Sequence, residues 1–204
     1  MALTLSLVIK TLLVQAFFIP SPSMEETLLV GDRVVVSKLT PGPFDLHRGD
    51  VVVFKDPGAW LPPVEDPQDG GLRRVLRTTL TFVGLLPQDS GEHLIKRVIG
   101  LPGDTVTCCD AEGRITVNGT PVTEDYLYAG DVPSTLDFSV TVPAGSLWVM
   151  GDHRSVSKDS RFNQTQFVPV ENVVGKAFVV VWPLGHAGGV GGPGEAFSRV
   201  TDAR

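Results

Sequence analysis

At 204 residues with 42% apolar content, the chain is long enough to bury the core of one domain, and wholesale disorder is excluded. A formal charge of −6, with no basic cluster beyond Arg73, Arg74 and Arg77, excludes general nucleic-acid binding. The two cysteines, Cys108 and Cys109, are adjacent, which rules out a C-x-x-C zinc site; two thiols near a turn are the expectation, because a bridge between neighbours is strained.

Residues 2–9 are almost wholly apolar, Lys10 and Gln15 interrupt the run, and Pro20 ends it. A spanning helix needs about 20 apolar residues, and a lysine in its middle is costly. Residues 1–15 therefore read as the trailing part of a membrane anchor whose leading half is absent, with the Lys10 amine snorkelling to water. A cleaved secretory signal is the rival, but no charged stretch precedes the run and cleavage would fall beside chemistry-bearing sequence.

Residues 16–19 suit a strand, and Ser21–Leu28 suit a turn into a helix. The stretches 33–39 and 49–55 read as strands, 56–71 as a Pro/Gly/Asp-rich surface loop, and 73–86 as a helix. Residues 93–108 read as strand, turn, strand. In 113–122, Asn118-Gly119 lies between alternating apolar residues, a hairpin signal. Residues 139–152 give two more strands, and 176–184 a last buried strand. The Gly-rich stretch after it, 185–204, reads as a flexible tail. The fold class expected is mainly β, an antiparallel sheet core at 16–184 with a smaller β-hairpin insertion at 104–145.

Three stretches carry candidate chemistry. Ser23 lies between an apolar strand and a helix start, where free backbone N–H groups can stabilise an oxyanion. The N–H of Ser23 survives beside Pro22, and the Ser21 hydroxyl is a second donor. A serine needs a base at neutral pH. Lys96 sits inside the apolar run His93–Ile99, where alternation places it with Leu94 and Val98 on one face. Desolvation lowers a lysine pKa, and only the neutral amine accepts a proton. The bland alternative is a lysine snorkelling at a strand edge. Gly151–Arg161 is dense in polar side chains; it reads either as a solvated loop or as a scaffold around the dyad, with Ser157 orienting the amine and Asp159 paired to Arg161. His153 leaves a Ser-His-Asp reading open.

Together these stretches resemble the type I signal peptidase family. Pro20-Ser21-Pro22-Ser23-Met24 is similar to its nucleophile segment, Arg48-Gly49-Asp50-Val51-Val52 to its R-G-D strand, Lys96–Asp104 to its K-R-x-x-G-x-P-G-D segment, and Gly151–Arg161 to its last box. Pro22 stands where glycine is commoner, and His153 where asparagine is usual. The lysine is similar to bacterial-type members. The resemblance implies Ser23 as nucleophile, Lys96 as general base, Ser21 assisting the oxyanion hole, Ser157 bonding the amine, and Asp159–Arg161 as a structural ion pair. It implies no cofactor and no metal. It also implies a signal peptide bound as an added β-strand between Phe17–Pro20, with Ile19 among them, and His93–Ile95, with Leu94 among them. Cleavage would follow Ala-x-Ala. The enzyme would be membrane-bound, its catalytic domain outside the cytoplasm, its partners exported preproteins and the lipid bilayer, its default state a monomer. A repressor-type Ser-Lys peptidase and a non-catalytic secreted β-domain are the rivals. The first normally carries a DNA-binding domain and lacks the apolar N-terminus; the second has no reason to keep Ser23, Lys96 and the last box together.

Overall fold

The computed structural model describes residues 13–58, 60–61, 93–162, 167–192 and 195–202. The expected anchor, apart from its last residues, and the expected helix at 73–86 lie outside the described residues. The fold is mainly β, in two antiparallel sheets.

The larger sheet is built from β1 (Val14–Phe18), β2 (Arg33–Ser37), β3 (Val51–Lys55), β4 (His93–Gly100), β9 (Ser146–Met150), β10 (Val168–Pro169), β11 (Val173–Trp182) and β12 (Gly188–Gly189). Its order is β1-β2-β11-β3-β4-β9-β10, with β12 added on β11. The smaller sheet, in the order β7-β6-β5-β8, joins β5 (Thr105–Cys108), β6 (Thr116–Val117), β7 (Thr120–Pro121) and β8 (Phe138–Thr141).

The Val-rich run of β3 explains why the large sheet has a core on both faces. Val51 and Val53 enter one apolar cluster with Phe17, Ile19, Met24 and Ile95. Val52 and Phe54 enter the other with Leu94, Val98, Leu147 and Val149. A strand buried on both sides reads as a continuous apolar run, and period-two alternation divides it between faces. The small sheet has its own cluster around Val106, Ile115, Val117 and Trp148. Asn118 and Gly119 both take positive φ, 51° and 77°, as a two-residue hairpin turn requires.

Four local expectations need correction. The segment after Ser21 forms only a single 3-10 turn, Pro22–Met24, because Glu25 leaves helical geometry and Glu26 turns to φ 90°. The loop from residue 56 is not all surface: Trp60 is buried edge-on against Phe54 at 5.8 Å. The last strand is longer than 176–184 suggests and buried on one face only; Phe178, Val181 and Trp182 are exposed. The sulfurs of Cys108 and Cys109 are joined to each other at the end of β5 rather than carried as two thiols.

The stretch read as a flexible tail makes defined contacts. Gly188–Gly189 pairs with β11, and Val190 enters the first cluster. Phe197 is buried in the cluster of the small sheet. Asp202 meets Arg48, which is bidentate to Asp104, and the Thr201 carbonyl accepts from Asn118.

Close approach of backbones fixes one glycine in this frame. A Cβ on Gly175 of β11 would fall 2.1 Å from the Ser37 carbonyl oxygen of β2. Backbone cannot swing aside as a flexible side chain does. Gly175→Ala is expected to cost about 3 kcal/mol, the upper range for overpacking, read as a lower urea midpoint at unchanged m-value.

Candidate active site

The site forms where the large sheet leaves two strand edges unpaired among the described residues. β1 pairs only with β2, so its other edge is open. β4 pairs with β3 along His93–Arg97, but β9 joins its far edge only from Arg97 onward. Among the described residues, no strand pairs along the far edge of residues 94–96. Curling of the sheet brings the two edges together: the Phe17 and His93 rings lie 5.4 Å apart. Between them is a cleft of about 110 Å³ lined on its two sides by Phe17–Ser21 and His93–Lys96.

Ser23 and Lys96 meet at one end of this cleft. The Lys96 Nζ lies 2.6 Å from Ser23 Oγ and donates to the Ile95 carbonyl at 2.9 Å. The side chain therefore curls back along the open edge of its own strand. Lys96 is 4% exposed and Ser23 7%. Burial is the main force on the amine and lowers its pKa to about 8; Asp159 and Asp152 pull it back up, and Arg161 pushes it down. The Ser21 hydroxyl stands 3.4 Å from the Ser23 hydroxyl.

The last polar box holds the Ser23 backbone through its own. The His153 N–H donates to the Ser23 carbonyl at 3.2 Å. A Cβ on Gly151 would lie 2.4 Å from that carbonyl and 2.3 Å from Ser157 Oγ, so only glycine fits there. Asp159 accepts the Gly151 N–H and holds Arg161 through both carboxylate oxygens, and Arg161 also donates to the Arg154 carbonyl. The Ser157 hydroxyl is buried but makes no hydrogen bond, so the expected bond to the lysine amine is absent here. The amine spends its contacts on Ser23 and Ile95 instead. The His153 ring is engaged elsewhere than at Ser23: Nδ1 is 3.1 Å from Glu25, and the ring stacks on Tyr128 at 3.9 Å. That geometry leaves the Ser-His-Asp reading without a base. Phe17, Ile19, Pro20, Leu94 and Ile95 all line the cleft.

Two further ion pairs lie beside the dyad and escaped the sequence reading. Arg97 is bidentate to Asp152, which also accepts from Thr27 at 2.6 Å. Arg154 pairs with Glu124, itself bound by the Tyr126 hydroxyl. Arg97 and Asp152 fall inside the quoted motifs and Glu124 does not, so only the first pair left a signal. No cluster of metal-ligating side chains occurs among the described residues.

Residues 1–182 match the model of a family described as signal peptidase, peptidase S26. A probable signal peptidase I of Mycobacterium leprae is 41% identical over 93% of this chain and 76% of its own length. Signal peptidase I of Mycobacterium tuberculosis is 38% identical over 89% of this chain and 69% of its own. A crystal structure of a signal peptidase I from Enterococcus faecalis aligns over 65% of this chain and 97% of its own, at TM-score 0.43 and 27% identity.

The buried amine sets a stability test. Unfolded, it titrates near 10.5; folded, near 8. Below pH 8 both states hold the proton and the fold bears the full cost of burying the charge. Between these values only the unfolded state keeps it, so stability rises with pH. Lys96→Met is expected to be more stable than wild type at pH 7, by on the order of 3 kcal/mol, with the gap closing toward pH 10.5. Denaturant titrations of both proteins across that range read the difference.

Proposed function

Because the chain belongs to the signal peptidase family, peptidase S26, we propose that it cuts preproteins with Ser23 as nucleophile and Lys96 as general base. Membership makes it a type I signal peptidase, a serine peptidase that removes signal peptides. The observation that carries the assignment of the dyad is the 2.6 Å contact between the two side chains in a dry site.

The neutral amine accepts the Ser23 proton as Oγ bonds to the scissile carbonyl carbon. Negative charge moves to the carbonyl oxygen, where the Ser23 N–H and the Ser21 hydroxyl are the donors assigned to it. Collapse breaks the C–N bond, and Lys96 returns the proton to the leaving amine. Water then attacks the ester carbonyl as Lys96 takes its proton; collapse breaks the C–Oγ bond, and Lys96 returns that proton to Ser23 Oγ. Ser157, whose buried hydroxyl has no partner, is assigned to steady the amine during these transfers. Asp159 and Arg161 hold the loop that carries it. The reaction needs no cofactor.

The signal peptide lies as a strand between the two open edges, its backbone bonding to both. Small side chains before the cut, of the Ala-x-Ala kind, fit a cleft of this size. The lipid contact rests on the outer face of β1, β2 and β11. Phe18 and Trp182 both register against Arg33, which places them in one exposed row, with Val181 and Leu184 exposed nearby. No helix among the described residues is long and apolar enough to cross a membrane. The surface and the N-terminal apolar run support a catalytic domain held against the bilayer; its extracytoplasmic placement and its action as a monomer on exported preproteins belong to the same proposal.

The deciding experiment is cleavage of a signal-peptide-bearing preprotein in detergent micelles. Ser23→Ala and Lys96→Ala are expected to lose at least about a thousandfold in kcat/KM while staying folded, and His153→Ala to keep the reaction. Wild-type kcat/KM should climb about tenfold per pH unit up to about 8 and then level, because only the neutral amine is a base. A rate that is flat down to pH 5, or an active Lys96→Ala, overturns the dyad.

A further inference from the structure

The cleft has two walls made by different parts of the core. Phe17, Ile19, Val53 and Ile95 belong to the same buried cluster and form the inner wall. Phe18, Leu94 and Leu61 also line the cleft, but from elsewhere. Phe18 follows Phe17 on β1 and is exposed, so it faces the other way. Leu94 precedes Ile95 and belongs to the cluster on the opposite face, with Leu61 packed against that cluster.

Leu61 belongs to neither strand edge; a constructed turn delivers it to the cleft. The Asp56 carboxylate accepts the N–H groups of Gly58, Trp60 and Leu61 at 2.8, 3.2 and 2.9 Å. Trp60 is then driven into the core against Phe54, which registers with Leu94. A capped turn with an aromatic anchor fixes the next side chain in place. None of the segments that resemble the family's motifs includes residues 56–61.

Successive side chains of a strand point to opposite faces. A peptide laid between the edges with its scissile carbonyl at Ser23 sends its first and third upstream side chains to one wall. Its second and fourth go to the other. We propose that Leu61 is a specificity-determining residue: with Leu94 and Phe18 it forms an outer apolar wall that selects an apolar side chain at the second or fourth residue before the cut. The inference rests on the strand-addition reading above and names the part of the substrate that this turn meets.

The test uses the full chain in detergent micelles and peptides that differ by Leu or Ser at one position, from the first to the fourth before the cut. Wild type is expected to prefer Leu over Ser at the second or fourth position by about fivefold in kcat/KM, the scale of a partly buried leucine contact. Leu61→Gln should erase that preference and leave those at the first and third positions unchanged, while Leu61→Met should retain it. Asp56→Asn, which weakens the turn without altering the cleft wall, should reduce the same preference. An unchanged Leu/Ser ratio at both positions in Leu61→Gln and Asp56→Asn, or a change confined to the first and third, overturns the role of Leu61 alone. A wild type that cuts none of the peptides overturns the strand-addition reading beneath it as well.

Discussion

The lysine amine must stay dry, and much of the surrounding structure follows from that constraint. A buried ammonium is costly unless it is paired, and a paired lysine is no base. The fold meets both demands by compensating its own carboxylates. Asp152 is clamped by Arg97 and Asp159 by Arg161, so neither is left to pair with Lys96 outright. Each still raises the lysine pKa, yet burial outweighs them and the value settles at about 8. Buried pairs of this kind contribute little net stability compared with apolar packing, so their placement beside the dyad is better understood as electrostatic control.

Most of the frame was legible because it rests on local rules. The Val-rich run of β3, the Asn118-Gly119 turn and the two strands of 139–152 follow from periodicity and turn chemistry. The meeting of Ser23 with Lys96 was reached through motif resemblance, since 73 residues separate them and no periodicity links such positions. What stayed hidden was long-range. The 3-10 turn after Ser21 does not continue as a helix because Glu26 adopts a left-handed backbone that its identity does not announce. Trp60 lies in a loop-like sequence, and only the Asp56 cap of its turn accounts for its burial. The Gly-rich stretch after β11 lacked pattern, but Val190 and Phe197 find separate clusters there.

The large sheet is therefore incomplete by design of its pairing. Among the described residues, β1 and residues 94–96 of β4 present two edges that face each other across the cleft. Exposed edges invite further strands, which is a hazard on an open surface. Here the exposure is confined to a groove whose length is set by where β9 begins to pair. The same pairing boundary leaves the Lys96 side chain room to fold back to Ile95, so the open edge and the placement of the amine share one structural cause.

Gly151 ties Ser23 to the last polar box with no slack. The Ser23 carbonyl and the Ser157 side chain each crowd the space a methyl group would fill. Two segments 128 residues apart in the chain are thus moulded on each other rather than merely adjacent. A chimera that transplanted residues 151–161 from a relative, without the Pro20–Met24 segment that fits it, would shift its own Ser23 by the mismatch between the two donors. These segments form a single inheritable unit, and recombination between relatives should tolerate crossovers elsewhere in the sheet more readily than between them.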